Sequence, residues 1–200
     1  MAGRANPFDW SGGHAALDFV NTLDERPSAA PVENLAAYRD LVNFAALAGL
    51  IEASASRRLR SLAGPDCSRI ARRARALREH FCAVLAAAHR GKTVPKTSLD
   101  AIASDVRRAH AARALVATAR SSAVQHGWIS PSSPEIPLHA CALAIESLLV
   151  AADRSRVRKC GASDCEVYFI DTSKAHRRQW CSMQNCGNRE KQRRWRLQGP

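Results

Sequence analysis

Two hundred residues, 46% of them hydrophobic, are enough for one domain of ordinary size or a domain with a small appendage, which excludes a disordered chain. Thirty Lys/Arg against eighteen Asp/Glu give a formal charge of +12, which points to polyanions among the partners. No stretch approaches 18 uncharged apolar residues, and the N-terminal residues lack an apolar signal core, so neither a membrane span nor a secretory signal is expected. Seven cysteines, an odd number, in a chain without an export signal argue for a reducing cytoplasm, where metal ligation or burial outranks disulfides.

In chain order, Asn34 is placed to cap a helix with Leu35, Tyr38, Leu41, Val42 and Ala45 at helical spacing, ending near Gly49. A second helix starts at Asp66 and carries Ile70, Ala74, Leu77, Phe81, Val84, Leu85 and Ala88 before Gly91. Ser98 opens a third, with Leu99, Ile102, Val106 and Ala109 inward. Residues 115–119 and 123–129 read as a β-hairpin turning near Ser121 and Ser122, with a broken helix as the alternative. After a Pro/Ser linker at 130–137, Pro137 suits the first turn of a helix with Leu138, Cys141, Ala142, Ile145, Leu148, Leu149 and Ala152 on one face. Cys82 and Cys141 lie on apolar helical faces and read as core, whereas Cys67 sits at a helix start where the dipole would lower its pKa. The eight arginines between Arg57 and Arg78 read as a solvated face, or as an extension of a polyanion footprint.

Charge and cysteines then shift together. Residues 154–200 hold 12 Lys/Arg against 4 Asp/Glu, leaving only +4 for the first 153, and they hold Cys160, Cys165, Cys181 and Cys186. A boundary near Asp153 is expected, with a mostly helical domain over 1–153 and a basic cysteine module over 154–200. Two C-x4-C pairs separated by fifteen residues fit four thiolates around one tetrahedral Zn²⁺; disulfides and free thiols are the competing arrangements. A module so poor in apolar residues needs such a staple. Between the pairs, Val167–Ile170 has strong β propensity, Asp171-Thr172-Ser173 is turn chemistry, and His176–Trp180 is placed to return as the second strand. The run after Cys186 forms a short helix with Arg189, Arg193 and Arg196 on one outward face and Asn188, Gln192 and Trp195 on another. Trp180 and Trp195 read as the module's small core before they read as base-stacking surfaces, and Asn188 as a local hydrogen-bond anchor. The fold class is mainly α (α+β): a helical domain with a hairpin, then a zinc-stapled knuckle, β-hairpin and helix of treble-clef-like form.

The residues CGASDC, VYFIDTS and HRRQWCSMQNCGNR together resemble the CGNR zinc finger over about 40 residues. His14–Leu23, HAALDFVNTL, resembles the opening of the ABATE domain, which commonly precedes this finger in bacterial proteins described as stress-induced transcription regulators. The resemblance implies that Cys160, Cys165, Cys181 and Cys186 ligate one structural zinc, that the finger binds DNA, and that the N-terminal domain senses a ligand.

The leading functional expectation is a non-enzymatic, zinc-dependent transcription regulator. It would grip double-stranded DNA through Lys174, Arg177, Arg178, Arg189, Lys191, Arg193, Arg194 and Arg196, as a homodimer because one finger offers limited contact. It would reside in the bacterial cytoplasm, with the nucleoid when bound. RNA binding and a protein-interaction module are the alternatives. A nuclease is disfavoured because His176 is the only histidine of the tail. Asp18 and Asn21, beside Leu17, Phe19 and Val20, serve either as contacts to a small-molecule effector or as helix caps and hydrogen-bonded anchors.

Overall fold

A computed structural model of the chain describes residues 7–117 and 123–198. The described elements are α1 (Ala15–Val20), β1 (Leu23–Asp24), β2 (Val32–Glu33), α2 (Tyr38–Leu47), α3 (Ala53–Leu59), α4 (Pro65–His89) and α5 (Lys96–Ala111). They continue with β3 (Arg113–Ala117), β4 (Val124–Trp128), α6 (Ile136–Val150), β5 (Val157–Lys159), β6 (Tyr168–Ile170) and α7 (Asn188–Gln198). Helices dominate, and the strands form three separate antiparallel pairs: β1 with β2, β3 with β4, and β5 with β6. None of the described helices is long and apolar enough to cross a membrane. By contacts the chain divides into a helical unit, Leu35–Ser147, and a second unit made of 7–34 together with 148–198, passing between them at 34–35 and inside α6. The composition boundary at Asp153 therefore leaves out a stretch at the N-terminus that folds with the cysteine module.

In the helical unit, α2 begins three residues later than the hydrophobic spacing suggests. Asp40, at the third helical position, accepts the Ala37 N–H at 2.8 Å and caps the helix, while Asn34 donates to Asp24 in the other unit's short ladder. Gly49 and Gly91, at φ of +70° and +63°, terminate α2 and α4 in the left-handed conformation that glycine adopts without steric cost. α4 buries Ile70, Ala74, Leu77, Phe81, Val84 and Leu85, as its periodicity predicts, with Ala87 inward in place of Ala88. α5 packs on α4 through Ile102 and Ala109; Leu99, expected inward, is exposed and Ser98 takes the buried place. The seven-residue α3, which no apolar periodicity marks, buries Leu59 and Ser56.

β3 and β4 pair from Arg113 with Trp128 to Ala117 with Val124, so the expected hairpin forms; its expected turn at Ser121 and Ser122 lies outside the described residues. α6 is buried almost all round, with Leu138, Cys141, Ala142, Ile145 and Leu148 all at 1% exposure or less. A polar bridge fixes its start: Arg73 reaches Glu135 at 2.5 Å and Asp105 at 2.8 Å, linking α4 and α5 to the residue before α6. Burial pushes both the Cys67 and Cys141 thiols up, with the charge of Asp66 adding to the effect at Cys67. The expected lowering of Cys67 by its helix dipole is thus overturned by desolvation.

In the second unit, His14 caps α1 by accepting the Ala16 N–H on Nδ1 at 3.1 Å. α1 is buried on every side except at Ala15. Gly12 crosses the start of α1 so closely that a Cβ there would stand 2.8 Å from Leu17 Cβ and 2.9 Å from Asp18 N, which leaves room for glycine alone. The Gly12 N–H donates to Asp18 Oδ1 at 2.9 Å.

Asp18 is 7% exposed, and burial pushes its carboxyl up to about 6, with Asp9 adding to the effect and the Gly12 hydrogen bond opposing it. The folded chain therefore favours the protonated acid, and ionisation withdraws stability as pH rises from the unfolded value near 3.8 to the folded value near 6. Asp18→Asn retains the oxygen acceptor without the charge. Urea denaturation across this window is expected to show the variant gaining on the wild type as pH rises, by at most about 3 kcal/mol above pH 6.

Candidate metal centre

The four-cysteine module is built around two short loops. β5 runs into Cys160, whose N–H donates to Val167 O at 2.8 Å, so the first C-x4-C pair occupies the loop of the β5–β6 hairpin. The register pairs Val157 with Ile170, Arg158 with Phe169 and Lys159 with Tyr168. This differs from the sequence expectation, in which residues 176–180 would pair with 167–170: they form no strand. β6 takes the segment before the knuckle as its partner because Asp171 turns the chain away. The Asp171 carboxylate accepts from Ser173 Oγ at 2.6 Å, Ser173 N at 2.9 Å and Arg178 N at 2.9 Å, bonds that hold it down at about 2. The second C-x4-C pair brackets one π-type turn over Met183–Gly187, opened by Ser182 Oγ accepting the Asn185 N–H at 3.2 Å, and α7 follows directly.

These loops bring Cys160, Cys165, Cys181 and Cys186 together, with all four Sγ atoms within 4.8 Å of one another. Cys165 Sγ lies 3.9 Å and Cys186 Sγ 3.5 Å from Cys181 Sγ. Tetrahedral coordination with Zn–S bonds of about 2.3 Å requires S···S separations of about 3.8 Å, so the cluster has the size and donor set of a zinc site. The donor chemistry points the same way. Hydrogen bonds from Cys165 and Cys181 hold the Cys160 thiol down, and those two donors are themselves pushed up, Cys165 to about 12. Crowded thiols of this kind can ionise together only around a cation. Cys160, Cys181 and Cys186, with Ala162 and Phe169, are also the module's apolar core, against which Val167 and Trp180 pack. The protein thus has one structural zinc site, and its ligand residues double as its core.

The basic residues predicted to face DNA fall into two groups. Arg178 belongs to the metal module: its guanidinium stacks 4.7 Å from the Phe169 ring centroid, and it donates to Trp180 O at 2.8 Å and to Cys181 O. Arg189 pairs with Asp164 at 2.8 Å and reaches Cys186 Sγ at 3.4 Å; Arg193 pairs with Glu190 at 3.2 Å and donates to Ser163 Oγ. Glu190 also accepts the Ser163 N–H at 3.3 Å. Arg189 and Arg193 are therefore exposed but committed to the knuckle and to α7 itself, and of the expected outward stripe only Arg196 is left without an ion pair among the described residues. The opposite correction applies to Trp195, which is 74% exposed and no part of the module's core. Lys174, Arg177, Lys191, Arg194 and Arg196 are exposed and make no ion pair among the described residues. Asn188 Nδ2 bonds Gln184 O at 3.2 Å, the anchoring role its position suggests.

Asn21 completes the module from the other end of the chain. Its Nδ2 donates to Tyr168 O at 2.9 Å and its Oδ1 accepts Tyr168 N at 3.0 Å, while Ile170 N donates to Gly12 O at 2.9 Å. One edge of β6 faces β5; the other is thus filled by a side-chain amide and one carbonyl. Asn21 is 4% exposed and its amide is bonded to the Tyr168 backbone, and Asp18 accepts from Gly12 N, which gives both residues the anchoring contacts that the sequence also allowed. Sequence reasoning missed Glu190, Asp164 and Ser163 altogether, because ion pairs between segments leave no periodic signal.

Two outcomes are expected. Co²⁺ replacing zinc at one equivalent per chain gives the d–d absorption of a tetrahedral thiolate site, and Cys181→Ser weakens or abolishes it. Asn21→Ala, which orphans two buried backbone groups, lowers the stability of the zinc-loaded chain by about 2–4 kcal/mol in chemical denaturation, and Asn21→Asp, which sets a buried carboxylate oxygen against Tyr168 O, loses at least as much at neutral pH.

The model of the CGNR zinc finger family matches residues 156–198, and that of ABATE, described as "Putative stress-induced transcription regulator", matches residues 13–152. No curated protein matches the chain. With its cysteine cluster and a family match over more than half its length, the chain belongs to the ABATE family and ends in a CGNR zinc finger.

Proposed function

We propose that the protein is a DNA-binding transcription regulator whose finger presents α7 to the duplex. One observation carries this reading. Arg189, Arg193 and Glu190 tie α7 to the first cysteine loop, while Lys191, Arg194 and Arg196 on the same helix, and Lys174 and Arg177 before it, are exposed and make no ion pair among the described residues. These five exposed cations on a metal-stapled module suit phosphate neutralisation, and a helix of about 16 Å suits the major groove. Arg178, Arg189 and Arg193 then act as positioning residues that hold the platform. One finger buries too little surface for specific affinity, so two copies on a two-fold site are part of the proposal. Neither family description is that of an enzyme. The helical unit takes the role of effector sensor, and α6, which carries the chain toward the finger, is the element through which its state would be transmitted.

The exposed Trp195 favours a second reading, RNA or single-stranded nucleic acid, because an indole on the surface of a cationic helix stacks on unpaired bases.

Affinity for mixed-sequence duplex DNA across a salt series tests both readings. Lys191→Ala/Arg194→Ala/Arg196→Ala is expected to reduce the slope of log K against log salt by about two to three, and chelation or Cys181→Ser to remove binding. Absence of duplex binding at low salt by the zinc-loaded chain overturns the proposal. Tighter binding to single strands, lost in Trp195→Ala, selects the second reading.

A further inference from the structure

The helical unit contains a cavity of about 450 Å³ between the start of α2, the turn before α4 and the first three turns of α4. Its charged lining consists of Arg39, Arg72 and Arg75, and no carboxylate lines it. Arg75 is fixed by donating to Leu35 O at 2.8 Å and Ala36 O at 3.0 Å. Arg39 and Arg72 make no ion pair or hydrogen bond among the described residues. Of the two acids adjacent in sequence to the lining, Asp40 accepts the Ala37 N–H at 2.8 Å and Asp66 is paired with Arg69 at 2.6 Å.

Two further features converge on the same space. α4 is a helix of 25 residues whose start, behind Gly64 and Pro65, receives no side-chain cap, and the one acid of its first turn, Asp66, is taken up by Arg69. The remaining walls are small or apolar: Leu62, Ala63, Ala71 and the buried Cys67. Burial keeps that thiol protonated, so it brings no competing negative charge.

We propose that this cavity is an effector site for a small organic anion, one that carries a carboxylate or phosphate on a compact apolar body. Arg39 from α2 and Arg72 and Arg75 from α4 hold the anionic group, and Leu62, Ala63 and Ala71 face the apolar part. The volume suits a metabolite-sized molecule. A DNA backbone is the poorer occupant, since it requires cations along an open surface and gains nothing from apolar walls. A ligand held by arginines from both helices would bridge α2 and α4, which already pack together, and so favour one arrangement of the two. The effector role rests on the proposed sensing function of this unit; binding itself does not.

The test is titration calorimetry of the full zinc-loaded chain at constant ionic strength, with phenyl phosphate and benzoate as probes and inorganic phosphate and benzyl alcohol as controls. The expected result is saturable one-to-one binding of at least one probe, tighter than inorganic phosphate, with no binding of benzyl alcohol. Arg39→Gln/Arg72→Gln, at exposed positions, is expected to weaken the probe about tenfold or more without a change in Tm. Ala63→Glu, which adds a carboxylate to the wall, is expected to do the same. Binding unchanged in both variants overturns the site. So does failure of both probes to bind a chain that binds duplex DNA, which leaves the regulator reading standing. Equal losses of probe and duplex affinity in the double arginine variant also overturn it, by making these arginines DNA contacts. Probe binding to a chain that ignores DNA supports the cavity and removes the regulator reading instead.

Discussion

Four sulfur atoms confined within 4.8 Å of one another are the constraint on which the C-terminal part of the chain depends. Without a cation their ionisation is mutually opposed; with Zn²⁺ they become a site of formal charge −2 in a segment otherwise carrying +8. That local negative charge explains the surrounding cations. The positive end of α7 begins two residues after Cys186, Arg189 reaches its sulfur, and Arg178 lies against the adjoining carbonyls. The ion also replaces a hydrophobic core: among the described residues of the module only Phe169, Ala162, Val167 and Trp180 join the cysteines in the packed cluster. Losing the metal would therefore remove packing, charge balance and the start of α7 together.

A three-residue strand such as β6 has little stability of its own, and a two-stranded ladder is marginal in water. Here both edges of β6 are satisfied, one by β5 and the other by Asn21 and Gly12, more than 140 residues away in sequence. Asn suits this position because its amide offers a donor and an acceptor with the spacing of a backbone peptide group. The consequence is an unusual relation between family and fold. The ABATE match starts at residue 13 and ends at residue 152, yet residues up to Asn34 belong to the compact unit that contains the finger. On sequence alone the HAALDFVNTL segment leaves Asp18 and Asn21 open between effector contacts and hydrogen-bonded anchors; in the fold, Asn21 docks onto β6.

What the sequence disclosed and what it concealed divide along range. Periodicity in α4, α5 and α6 reported burial faces correctly except at positions such as Leu99, because those helices are long enough for a face to be defined. The cysteine spacing and the Asp171 turn were legible because each acts within a few residues. α3 was hidden by its length, and the pairing of β6 was hidden because the β propensity of Val167–Ile170 identifies a strand without naming its partner. The orientation of α7 was misread for a related reason. Helical spacing groups Arg189, Arg193 and Arg196, but only the acids at Asp164 and Glu190 decide that the first two of these face the module. Trp195, the most apolar-looking anchor on that helix, is left in solvent as a result.

The same distinction between counted and committed charge applies to the helical unit. Of the arginines between Arg57 and Arg78, Arg73 bridges Asp105 and Glu135, Arg69 pairs with Asp66, Arg60 bonds Ser56, Arg75 bonds two carbonyls and Arg58 reaches Pro131 O. Most of that basic run therefore holds helices and loops in place. A net charge of +12 says that the protein attracts polyanions at long range, but contact depends on the minority of cations left unpaired. On α7 those cations project from a convex helix, a shape that follows a phosphate backbone. Around the start of α4 they line a concavity with apolar walls, the shape on which the proposed small-anion site rests. Shape at the unpaired cations, more than their number, is thus what separates the two proposed kinds of anion recognition within one basic chain.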